Sequence, residues 1–153
     1  METEQLIEKL KEFLALLIKT AGFPLKTSEA RKDDVKTIRI EIFIEGAGLV
    51  IGENGENIFA WEEILNQWLR KNSEVYFRAI LDINNYRWQI EQRLRELAKK
   101  SAREAVLSKK PVKLPAMSSY ERRIIHTELA LHPNVATESE GESPKRQVVV
   151  KPL

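Results

Sequence analysis

Two side chains in the run from Met117 to His126 can act together: Arg122, a permanent cation, and His126, a hydrogen-bond donor that titrates near neutral pH. Four residues make about one helical turn, so on a helix both project from one face, with Arg123 about 100° away. Such a pair suits an anionic ligand, although the same spacing also describes a solvated basic face. A second stretch, Gly52-Glu53-Asn54-Gly55, places two glycines three positions apart. Glycines so spaced permit a tight turn and let a nucleic-acid backbone approach the main chain, with the amides of a following helix as donors. A plain turn is the alternative there. Metal chemistry is set aside, because the chain has no cysteine, only two histidines and no His-Glu-x-x-His spacing. With no nucleophile signature, a lone histidine on a basic face is a poor acid-base centre, so neither an enzyme nor a bound cofactor is expected.

The elements that must position these residues follow from periodicity and turn chemistry. Ser118 followed three residues later by Glu121 is a capping-box pair, which predicts a helix carrying Arg122 and His126 with Ile125 and Leu129 as its apolar stripe. Upstream, Tyr86 to Ser108 reads as a long helix with Ile90, Leu94, Leu97, Ala98, Ala102, Ala105 and Val106 inward and a basic outer face. That face is either solvated or tracks phosphates. Pro111 ends the run, and Val112–Leu114 forms a short strand. Residues 134–139 and 146–150 read as a hairpin across the polar turn Glu140 to Pro144.

In the first half, Leu6, Leu10, Phe13, Leu14 and Leu17 mark a helix over about residues 4–20. A weak strand candidate spans 24–30. Ile38, Ile40, Ile42 and Ile44 alternate with Arg39, Glu41 and Phe43, which marks a strand with one buried face. Beyond the glycine stretch, Ile58, Trp61, Leu65, Trp68 and Leu69 give a helical stripe, read as core rather than as a stacking platform. Residues 75–83 alternate again, with Val75, Phe77, Ala79, Leu81 and Ile83 on one face, and Asn84-Asn85 closes that strand.

The formal charge of +2 conceals an asymmetry: residues 1–84 carry 11 Lys and Arg against 15 Asp and Glu, and residues 85–153 carry 14 against 8. A polyanion should prefer the second half. No apolar run approaches the roughly 18 residues needed to span a bilayer, and no secretion signal opens the chain. A cytoplasmic protein without membrane insertion is therefore expected.

The order helix, strand, strand, Gly-x-x-G, helix, strand, with the run Leu49 to Ile58, resembles the bacterial type of KH domain, whose Gly-x-x-G loop clamps single-stranded RNA by its backbone. The second half resembles the R-three-H domain, named for an Arg and a His separated by three residues, and Arg122 and His126 take the naming positions. Together with Asp82 to Arg87, Met117 to His126 and Thr137 to Arg146, the chain resembles the bacterial Jag family, which fuses these two domains. The additional N-terminal domain and charged linker that such proteins often bear are not expected here. The resemblance implies an α+β fold: a type II KH domain of order α-β-β-α-α-β over residues 1–84, then residues 85–153 as a long helix leading into a three-stranded R-three-H sheet with helices on one side.

It also implies a single-stranded RNA partner, with single-stranded DNA as a competitor, and post-transcriptional control linked to the cell envelope or cell elongation. The candidate contact residues are Arg122, His126, Arg123, Lys145 and Arg146, with Gly52, Glu53, Asn54 and Gly55 at the loop. Arg122 would pair with phosphate and His126 would donate to phosphate or stack on a base, unless Arg122 is tied to a carboxylate such as Glu138. KH loops of this family usually hold a Lys or Arg where Glu53 and Asn54 stand, and Coulomb repulsion from Glu53 and Glu56 weakens phosphate contact there. A second reading is a protein-interaction scaffold, with the KH domain forming a homodimer or a heterodimer with another KH protein.

Overall fold

The structure, a computed structural model, describes residues 2–153. The chain divides into two compact units, the first ending at Arg87 and the second running from Trp88 to Leu153.

The first unit has the order α1 (Thr3–Thr20), β1 (Leu25–Lys32), β2 (Thr37–Ile44), α2 (Gly48–Ile51), a 3-10 turn (Glu53–Gly55), α3 (Glu56–Asn72) and β3 (Arg78–Ile83). Its sheet order is β1-β2-β3, with β1 antiparallel and β3 parallel to β2. This is the α-β-β-α-α-β order that the family resemblance implies, with α2 a short helix that the residue pattern alone does not mark. Ile38, Ile40, Ile42 and Ile44 are buried on the face that receives Leu10, Leu14 and Ile18 of α1 and Leu65 and Leu69 of α3. Each such side chain contributes about 1.5–3 kcal/mol when fully buried, so strict alternation on β2 is enough to fix which face is inward. The tryptophans of α3 are core: Trp68 stacks on Phe13 at 5.5 Å, and Trp61 donates its ring N–H to the Val50 carbonyl at 3.2 Å.

The weak strand candidate proves to be an eight-residue strand, and the charged turn after it is held by Asp34, whose carboxylate accepts the amides of Lys36 and Thr37 at 2.8 Å each. These donors hold the Asp34 carboxyl below its usual range. β3 begins later than the alternation suggests. Val75 is 60% exposed because the Ser73 hydroxyl donates to the Val75 carbonyl at 2.7 Å, a local turn that competes with the ladder. At the other end, Asn84 takes a left-handed conformation (φ 53°), and its amide pairs with both the N–H and the C=O of Ile44 at 2.9 Å, tying the ends of β2 and β3 together.

α4 (Tyr86–Ser108) starts in the first unit, and its remainder supplies Leu94, Ala98, Ala102 and Ala105 to the core of the second. There follow β4 (Val112–Lys113), α5 (Ser119–Leu129), β5 (Val135–Glu140) and β6 (Gln147–Pro152), with an antiparallel sheet of order β4-β6-β5. Ile125 and Leu129 of α5 pack on Val135, Val148 and Val150. Val106, expected inward, is 36% exposed near the end of α4. No helix among the described residues is long and apolar enough to cross a membrane.

Candidate nucleic-acid interface

The capping box expected at Ser118 is formed. Its hydroxyl accepts from the Glu121 amide at 3.2 Å, and the Glu121 carboxylate accepts from the Ser118 amide at 2.7 Å. This fixes where α5 begins and therefore the face that carries Arg122 and His126. The Arg122 guanidinium donates to the Met117 carbonyl at 2.9 Å and to the Ser119 hydroxyl at 3.1 Å. Both acceptors are neutral, so its full charge is retained. The carboxylate pairing considered for it does not occur: Glu138 is bonded to Lys151 instead, across β5 and β6.

His126 is half-buried between α5 and β5. Its Nδ1 lies 2.7 Å from the Thr137 hydroxyl and its Nε2 2.7 Å from the Ser139 hydroxyl. Burial, and secondarily the neighbouring Arg122 charge, push its pKa below the ordinary histidine value, so the neutral ring is favoured. A neutral imidazole has one N–H and one lone pair; one hydroxyl therefore accepts from the ring and the other donates to it. Thr137 and Ser139 were missed from sequence. The available signal was their two-residue spacing, which puts both on one face of β5, beside Val150 and Val148 in the ladder.

The β5–β6 turn is brought to the start of α5 by a main-chain bond from the Met117 amide to the Arg146 carbonyl at 3.1 Å. Since Met117 also accepts from Arg122, the exposed Lys145 and Arg146 belong to the same end of the unit as that guanidinium. Arg123 does not. It lines a shallow groove between α4 and α5 with Glu91, Arg95, Tyr120, Thr127 and Glu128. Glu128 lies 3.4 Å from Lys99 and 3.8 Å from Arg95, and the Tyr120 hydroxyl donates to Glu91 at 2.7 Å, so that groove is of mixed charge.

In the first unit the four loop residues lie together between α2 and α3. Gly52 and Gly55 both have φ of +77°, and Asn54 is also left-handed at φ 53°. A Cβ on Gly52 would lie 2.7 Å from the Asn57 side chain, and one on Gly55 would lie 2.8 Å from the Tyr86 ring. The glycines are thus required by the fold itself. Glu53 and Asn54 are exposed at the loop tip and Glu56 opens α3, so the helix N-terminus already carries acidic side chains.

Next to this loop, side chains of the unit itself cover the outer edge of β3. Asn66 accepts the Ala79 amide at 2.8 Å, Glu62 accepts the Leu81 amide at 3.0 Å, and Arg87 donates to the Leu81 carbonyl at 2.9 Å. Glu62, only 7% exposed, is also ion-paired with Arg87, whose guanidinium lies 5.0 Å from the centre of the Phe59 ring. Asp82 accepts the Arg87 amide at 3.1 Å; burial raises its pKa, partly offset by that bond. The Asp82 to Arg87 block therefore serves to close a sheet edge and anchor the start of α4. Among the described residues there is no group of His, Asp and Glu placed to hold a metal ion.

Two α+β units, one with a Gly-x-x-G turn between helices and one with an Arg-His pair on a helix above a three-stranded sheet, define the class of R-three-H proteins. The R-three-H domain model matches residues 89–152. Curated relatives are each named RNA-binding protein KhpB. That of Clostridium symbiosum is 31% identical over 147 residues, 96% of this chain and 66% of that protein. That of Lactiplantibacillus plantarum is 31% identical over 147 residues, 96% of this chain and 45% of that protein. The Bacillus subtilis protein is 33% identical over 127 residues, 82% of this chain and 61% of the relative. The chain belongs to the Jag family to which these proteins are assigned, and it spans between 45% and 66% of the length of these three relatives.

Proposed function

We propose that this chain is a non-catalytic RNA-binding protein that holds single-stranded RNA on the face of the second unit formed by Arg122, the His126 cluster and the Lys145–Arg146 turn. The observation that carries this reading is the Arg122 guanidinium, which is oriented by two neutral acceptors and, among the described residues, ion-paired with no carboxylate. Such a cation can meet a phosphate without first breaking an ion pair. Its relatives' shared name and the net charge of +6 over residues 85–153 support the same partner. Arg123, on the α4–α5 groove, adds long-range attraction only. The glycine loop contributes little, because Glu53 and Glu56 oppose a polyanion. The post-transcriptional role linked to envelope growth that the family resemblance implies belongs to this reading, as does a cytoplasmic location.

A titration of a fluorescent single-stranded oligonucleotide at two salt concentrations tests it. The wild type should bind RNA with affinity that falls steeply with salt, and Arg122→Ala with His126→Ala should weaken binding by roughly 10- to 100-fold, with folding checked by circular dichroism. Equal affinity of wild type and double variant would refute the assignment. An oligothymidylate competitor measures how far DNA substitutes.

A second reading is favoured by the apolar side chains beside the acidic loop: Leu49 on α2 and Phe59 on α3 are 78% and 47% exposed. These suit a protein partner, either a second copy or another KH protein, and light scattering without RNA would detect the self-association.

A further inference from the structure

The polar cluster beneath the Arg122 face contains two hydroxyls for which binding by Arg122 and His126 alone has no use. Thr137 and Ser139 flank the His126 ring at 2.7 Å on either side and remain partly exposed. With both ring nitrogens engaged by hydroxyls, the imidazole has no donor left for a ligand. What it controls is the direction of the hydroxyl protons. A hydroxyl that accepts from the ring N–H keeps its own O–H for an outside acceptor, whereas one that donates to the ring presents only lone pairs.

We propose that the Thr137 and Ser139 hydroxyls are the hydrogen-bond donors that meet a backbone phosphate of the bound strand, and that His126 is a positioning residue acting through them. This rests on the RNA-binding reading of the Arg122 face. The neutral ring leaves one hydroxyl donating outward and one accepting. The imidazolium donates to both, freeing two O–H groups for one anion and adding a charge. A phosphate there favours the protonated ring, so binding is coupled to uptake of a proton by His126.

On its own helix His126 faces Arg122, and from β5 it faces the two hydroxyls. Their β5 neighbours Glu138 and Glu140 alternate to the opposite face of the sheet, where both lie against Lys151 of β6. The β6 residues paired with Ser139 and Thr137 are the buried Val148 and Val150. Lys145 and Arg146 of the turn are exposed cations. Because the ring's pKa starts below the ordinary histidine value and a bound phosphate raises it, the extra affinity is full below the free-state pKa and is lost as pH rises through the bound-state pKa.

The test is the affinity of a short oligouridylate between about pH 8 and about pH 5.5, for the wild type, Thr137→Val with Ser139→Ala, His126→Gln and Arg122→Ala. The wild type is expected to tighten by roughly five- to tenfold on acidification, a gain bounded by one proton per binding event. The hydroxyl double variant should lose on the order of tenfold at low pH and have a flat profile. His126→Gln, whose amide offers one donor and one acceptor at every pH, should also be flat. A wild-type profile that is flat, or a hydroxyl variant that keeps the wild-type slope, overturns the proposal, the latter because His126 would then reach the phosphate directly. If Arg122→Ala binds as tightly as the wild type, the RNA-binding reading of this face has failed instead.

Discussion

The glycine loop of the first unit and the α5 face of the second both carry a family motif, and they differ in how much of their polar capacity is already used. At the loop, the glycines are committed to left-handed turns packed under Asn57 and Tyr86, and the tip presents Glu53. The neighbouring β3 edge has its Ala79 and Leu81 amides taken by Asn66 and Glu62. On α5, by contrast, Arg122 is held among the described residues by a carbonyl and a hydroxyl. Polar groups satisfied internally give a rigid fold, whereas a charge held by neutral partners remains available to a ligand. Family motifs mark both places equally; their local electrostatics do not.

The largest way to sharpen that contrast is through the loop's structural role. Gly55→Ala places a side chain at φ +77° and 2.8 Å from the Tyr86 ring, so the first unit should lose about 2 kcal/mol or more of stability. Chemical denaturation followed by tryptophan fluorescence reads this, since Trp61 and Trp68 both lie in the first unit. RNA affinity of the protein that remains folded should change little. If affinity collapses while stability holds, the glycine loop is a binding element after all.

A smaller effect, of opposite sign, is expected from charge at the loop tip. Glu53→Lys with Asn54→Lys replaces one repulsive charge by two attractive ones at exposed positions, and should strengthen RNA binding by up to about tenfold at low salt. No gain would mean that the covered β3 edge, and not charge, keeps RNA from the loop.

Most of the fold was legible because its signals are local and periodic. The alternating isoleucines of β2, the Ser118–Glu121 capping box and the stripes of α1, α3 and α4 each decide an element without help from elsewhere. Val75 was misplaced because a serine turn, which periodicity does not see, ends the pairing before it. At the candidate site, Arg122 and His126 were found by spacing. The partners of His126 were not, because Thr137 and Ser139 are separated from it by a loop, and only the packing of α5 on β5 brings them within 2.7 Å. Arg123 was grouped with Arg122 by charge, although its place about 100° around the helix puts it in the α4–α5 groove. Sequence reports proximity along an element well, and proximity across elements only when a pairing pattern betrays it.

The smallest effect separates the cations that touch phosphate from those that merely attract it. Lys145 and Arg146 sit on the turn bonded to Met117, whose carbonyl accepts from the Arg122 guanidinium, whereas Arg123 lies among the carboxylates of the α4–α5 groove. Each phosphate contact on a single strand contributes roughly 0.7 to the slope of log affinity against log salt. Lys145→Ala and Arg146→Ala should each reduce that slope by about this amount, and Arg123→Ala should weaken binding slightly at low salt while leaving the slope nearly unchanged. Oligouridylate titrations across a salt series measure all three. Were Arg123→Ala to flatten the slope and the turn variants not, the strand would run along the α4–α5 groove, and the face containing Thr137 and Ser139 would lie off its path.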